Sequence, residues 1–159
     1  MAAAPGVPSV TVMENTRQRP ALGLPFLALV GLALLAVPRV VLHDLGGLQP
    51  GGLVNGLLVF VPPLIWIAVV VLTRTPNPFL TVLVIGAIYG VFLAVGHQLL
   101  WRVSFPDGSP RLGGNLGDVA PATSEAVVRS FAAVSSVFTG VLVGAVAGLV
   151  AWGAGRLRR

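Results

Sequence analysis

The chain has 159 residues, of which 55% are hydrophobic and only 9% charged, against about 25% charged in an ordinary soluble domain. No segment can bury a soluble core of its own, and the absence of cysteine excludes disulfides, thiolate nucleophiles and cysteine metal sites. A net charge of +5 and a pI near 11.6 imitate a nucleic-acid binder, but on so apolar a chain the excess sets membrane orientation, and no nucleic-acid partner is expected.

Residues 1–20 are rich in Ala, Pro and Gly, carry Glu14, Arg17 and Arg19, and show no apolar periodicity. They read as a disordered N-terminal tail. A cleaved signal peptide over residues 1–38 is the rival reading. The apolar run is longer than a usual signal core and no A-x-A site follows before Arg39, so a retained first helix is expected.

Four nearly uncharged stretches then fill the chain: Ala21–Pro38, Gly51–Thr73, Thr75–Trp101 and Ser130–Gly155. Crossing a hydrocarbon layer of roughly 30 Å takes about 20 apolar helical residues. The fold class expected is all-α, an integral membrane four-helix bundle. Its helices fall at about 21–42, 52–73, 78–101 and 124–155, in one domain over 21–156 with a basic tail at 157–159. His43–Pro50, with Gly46-Gly47, makes a short loop on the outer side. Arg74-Thr75-Pro76-Asn77-Pro78 is a tight inner turn in which prolines stop one helix and start the next. Residues 102–123 form the long outer loop, and Thr123 or Ser124 is the expected N-cap of the fourth helix. From Pro121 to Gly155 is too long for one crossing, so that helix projects outward or begins among the headgroups.

Arginine supplies all ten basic side chains, which suits a GC-rich bacterial genome. Arg17, Arg19, Arg74, Arg156, Arg158 and Arg159 fall on one side, and Arg39, Arg102, Arg111 and Arg129 on the other. Arginine near short loops marks the cytoplasmic side, so both termini are expected in the cytoplasm, with the chain a multi-pass protein of the cell membrane. Trp101 and Trp152 suit aromatic belts at opposite faces.

Small residues let membrane helices approach closely. Gly86 and Gly90 on the third helix, and Gly140, Gly144 and Gly148 on the fourth, are therefore the expected packing residues, most simply within one chain, alternatively in a homodimer seam. Pro62-Pro63 removes two donors from the middle of the second helix and crowds the Leu58 and Val59 carbonyls. That is a kink or, on a functional reading, a helix break lining a ligand site together with Asn55. His97 lies on the glycine face near the outer end, and His43-Asp44 follows the first helix. His97 and His43 are candidate cofactor ligands, as axial ligands of a haem; with Asp44 they are candidate metal ligands. The plain alternative is a hydrogen-bonded packing histidine beside a loop histidine. Arg39 and Arg129 are expected to snorkel outward, with Asp44, Asp118 or Glu125 as acids that could pair with them.

With no carboxylate expected inside a span and no catalytic motif, an enzyme and a proton-coupled antiporter are both disfavoured. The expected function is a structural, accessory or assembly component of the bacterial membrane, with no cofactor. Its partners are the lipid bilayer and a second copy or another membrane protein. The alternatives are a small transporter or channel at Pro62-Pro63 and a haem- or metal-binding bundle.

Overall fold

Prolines mark where most helices begin, because the first turn of a helix has no use for the N–H that proline lacks. In the computed structural model, which describes residues 21–49 and 51–158, Pro25 precedes α1 (Phe26–Leu34). Prolines also open α2 (Val37–Asp44), α4 (Pro78–Leu99) and α6 (Pro121–Leu157). Between them lie α3 (Leu53–Leu72), the single turn α5 (Trp101–Ser104) and a 3-10 turn at Gly114–Leu116. The described residues contain no strand. Four segments are long and apolar enough to cross a membrane: Phe26–Asp44 (α1 with α2), α3, α4 and α6. The tail expected at residues 1–20 and Arg159 of the C-terminal tail lie outside the described residues.

Two expectations move. The fourth helix starts at Pro121 and has no side-chain cap; Ser124 Oγ instead accepts the backbone N–H of Leu112 at 2.8 Å and ties the long loop to the helix. The helix break also sits elsewhere. α3 runs unbroken through Pro62 and Pro63, while the first span is interrupted at Leu35–Ala36, just before Pro38. Phe60, Val61, Leu64 and Ile65 point away from the bundle, and unwinding that stretch would strand more backbone groups in lipid than the prolines already do.

At Leu35–Ala36 the chain tightens into bonds of the 3-10 type, Leu35 N to Leu32 O at 3.3 Å and Ala36 N to Ala33 O at 3.2 Å. Pro38 has no N–H to offer the Leu34 carbonyl. The loosened turn is stitched to α3: fully buried Trp66 donates its indole N–H to Leu32 O at 2.7 Å. Trp66 stands one turn beyond Pro62 and one before Val70, on the only buried stripe of α3.

α4 is the centre of the bundle and packs against α1, α2, α3 and α6. Its longest contact is an antiparallel seam with α6. A Cβ placed on Gly86 would stand 2.5 Å from the Gly140 carbonyl oxygen and from Gly144 Cα. One on Gly90 would meet Val137, and one on Gly148 would meet the Phe79 backbone. Only hydrogen fits between these backbones.

The two ends of the bundle differ. At one, the basic end, Arg74, Arg156 and Arg158 gather around the α3–α4 turn and the end of α6. Here Thr81 Oγ1 lies 2.8 Å from both Leu22 O and Asn77 O, and Asn77 Nδ2 donates to Ala21 O, so the segment before α1 is laced to the start of α4. Gly23, at φ +70°, lies so close that a side chain would strike Thr75 and Pro76. At the other, the histidine end, α5 and the long loop fold over α2, α4 and the start of α6. Trp101 Nε1 donates to Ser109 Oγ at 2.8 Å there.

Overpacking a tight interface costs about 1–3 kcal/mol. Gly140→Val should lower stability to unfolding by at least that much, because the added atoms meet the Gly86 and Gly90 backbones. Gly155→Ala, whose Cβ would meet only Pro78 Cγ at 3.7 Å, should leave it unchanged. Denaturant titration in detergent micelles measures both.

Candidate functional site

α2 is short, yet helical spacing decides which of its side chains face the bundle. Val40 and Asp44, four apart, are buried against the bundle, and Arg39, Val40 and His43 border a cavity. Asp44 is the last residue of α2, not part of a loop, and its side chain is 4% exposed. The expectation that no span carries a carboxylate is thereby corrected: Asp44 closes the first span from inside the bundle. The signal was present in the sequence, since Asp44 continues the Val40 face by one helical turn.

A buried carboxylate needs donors on both oxygens. His97 Nδ1, from α4, lies 2.6 Å from Oδ2, and His43 Nδ1 lies 3.1 Å from Oδ1. The three residues singled out separately in the sequence therefore form one cluster across α2 and α4. Its members differ in burial: the His97 ring is partly covered, and the His43 ring is mostly exposed. Ser104 Oγ from α5 lies 3.4 Å from the Asp44 backbone carbonyl, so α5 closes over the cluster. Gly96, one residue before His97, leaves the room that Val40 occupies; a Cβ there would stand 2.9 Å from Val40 Cγ1.

Beside the cluster is a cavity of about 210 Å³ lined by Arg39, His43, His97 and, from α6, Ser135, Ser136 and Thr139. Arg39 thus turns inward instead of snorkelling, and its Nε is buried without a hydrogen-bond partner. The three hydroxyls donate to carbonyls of their own helix, Ser135 and Ser136 to Ala132 O and Thr139 to Ser135 O. Their lone pairs remain available as acceptors.

Arg129 is paired with Glu125 and also has, in Gln98 and Trp101, partners that sequence reasoning missed. Its Nε donates to Gln98 Oε1 at 2.8 Å and its Nη2 to Gln98 O at 3.2 Å, while Nη1 meets Glu125 at 3.3 Å and the guanidinium lies over Trp101. Gln98 returns a bond to Arg129 O at 3.1 Å. Residues 31 positions apart leave no local trace of such a pairing.

The remaining candidates stand apart. Asn55 Oδ1 is buried and without a partner, and Pro62 is buried on the Trp66 stripe, but neither they nor Pro63 line this cavity. Among the described residues no three His, Cys, Asp or Glu side chains are grouped to hold a metal ion. The metal candidates His97, His43 and Asp44 instead engage one another. Gly86, Gly90, Gly140, Gly144 and Gly148 line the α4–α6 seam within the chain.

Comparison with protein-family models, with curated proteins and with solved structures finds no match for this chain.

A hydrogen bond to a charged group is worth about 1.5–3 kcal/mol, and an exposed one less. Asp44→Ala should therefore destabilise the fold by about 2–3 kcal/mol, leaving His97 without its acceptor in a covered site. His43→Ala should cost under about 1 kcal/mol. Thermal unfolding of the two purified variants in the same detergent checks the order.

Proposed function

We propose that the protein is a structural or accessory component of a bacterial cell membrane, not an enzyme, with its basic end and both termini in the cytoplasm. The observation that carries this reading is that three polar side chains of the spans are engaged within the bundle itself. Asp44 is held by His97 and His43, the Trp66 indole by the Leu32 carbonyl, and the Thr81 hydroxyl by the segment before α1. Apart from the neighbouring His43, each contact joins one part of the bundle to another, as expected where polar groups serve packing. The orientation rests on Arg74, Arg156 and Arg158 at one end, supplemented in the sequence by Arg17, Arg19 and Arg159. Broad apolar faces, including Leu27, Leu53, Phe60, Phe131 and Val134, remain for lipid or for a membrane-protein partner.

A second reading, a small transporter or channel, is favoured by one feature: the unpartnered Arg39 Nε beside the histidine-end cavity. On that reading the site belongs there and not at Pro62-Pro63.

Reconstitution into liposomes separates the two. As an accessory protein, the chain passes no ion above protein-free vesicles, and His97→Ala and Pro62→Ala change only stability or assembly. Flux that Arg39→Gln abolishes would overturn that reading in favour of transport. A Soret band or stoichiometric metal in the purified protein, lost in His97→Ala, would overturn both.

A further inference from the structure

The basic end holds a larger cavity, about 820 Å³, that plays no part in the cluster around Asp44. Arg74, Arg156 and Arg158 line it, together with Thr75, Asn77 and Trp152. Ligand sites usually measure about 300–1,000 Å³. All four carboxylates among the described residues, Asp44, Asp107, Asp118 and Glu125, fall in the histidine end or its loop, and none pairs with these three arginines.

Two ordinary causes account for arginine here in part. Cations suit the C-terminal ends of α3 and α6, and arginine-rich ends set orientation. Neither explains the wall of the cavity. Thr75, 4% exposed, carries a buried Oγ1 with no hydrogen-bond partner. A hydroxyl so placed costs free energy until something bonds to it. Arg156 is stacked 3.9 Å over the Trp152 ring, which places its charge beside the cavity. Phe79 and Leu80 in the first turn of α4 also line the space, and the N-terminus of a long helix favours an anion.

The geometry points to a binding site for the phosphate of an anionic glycerophospholipid, held by Arg74, Arg156 and Arg158 with Thr75 as an additional hydrogen-bonding group. Lipid is the occupant favoured over a free anion because the cavity opens at the end of three spans, beside Trp152 and the apolar side chains of Val71 and Leu80. Acyl chains can lie along those side chains while the headgroup meets the arginines. Basic pockets between membrane helices take acidic headgroups in this way.

The test uses the full chain in nonionic micelles doped with phosphatidylglycerol or phosphatidylcholine, with Tm as readout. Phosphatidylglycerol should raise Tm by about 5 °C relative to phosphatidylcholine, the size expected of near-saturating ligand on a chain of this length. The rise should vanish in the double variant Arg156→Gln/Arg158→Gln and persist in Arg111→Gln, at the opposite end. Thr75→Val is close to isosteric and removes an unpartnered hydroxyl. It should fold as well as wild type in phosphatidylcholine and lose at least half of the rise, so it decides the matter if the double variant does not fold. Equal Tm in the two lipids, or a rise that survives both changes, would overturn the site. An equal rise from millimolar inorganic phosphate without lipid would overturn the lipid as its occupant.

Discussion

The close approach of α4 and α6 is the contact on which the rest of this bundle depends. Lipid offers apolar side chains nothing that a neighbouring helix does not, so two spans hold together only where their backbones come near enough to gain dispersion contact. Gly86, Gly90, Gly140, Gly144 and Gly148 make that possible. With α6 on one side, α4 keeps its other faces for α1, α2 and α3. Thr81, Val82, Ile85 and Tyr89 are buried there, and the Tyr89 ring tilts against Trp66 at a centroid distance of 6.0 Å. The glycine faces of α4 and α6 thus meet within the chain.

Polar side chains then fix how the first span sits on this pair. It is anchored at three levels: Leu22 to Thr81 at the basic end, Leu32 to Trp66 at mid-depth, and Asp44 to His97 at the far end. Each anchor reaches a residue that is itself buried or partly buried, and each satisfies a group that hydrocarbon would leave bare. The first span is the shortest and the only one interrupted.

Much of this was legible in the chain because membrane burial writes itself in composition and period. The absence of charge over 18 or more residues located the spans, and the four-residue spacing of Gly140, Gly144 and Gly148 located the seam surface. His97 was conspicuous as a titratable group among apolar ones. Other features left little sign. Both Pro38 and Pro62-Pro63 disturb a helix, but which disturbance becomes a break depends on whether a partner can receive the loosened turn, and Trp66 is such a partner only in three dimensions. Asp44 reads as the start of a loop until its position one turn after Val40 is matched with His97, 53 residues away. Arg39 sits close enough to a span end to suggest snorkelling, and only the neighbouring α6 hydroxyls reveal that it turns inward.

The length of α6 gives the molecule an uneven mechanical character. Its 37 residues measure about 55 Å, whereas the hydrocarbon layer is about 30 Å thick, and it carries no internal proline or break. It is therefore longer than one crossing requires, and its end away from Trp152 and Arg156 is clamped by Gln98 at Arg129 and by the long loop at Ser124. A load applied near Pro121 is therefore carried along a single rod into the glycine seam with little bending. The first span, interrupted at Leu35–Ala36, is no such continuous rod, and at that point it is held by the Trp66 bond to Leu32.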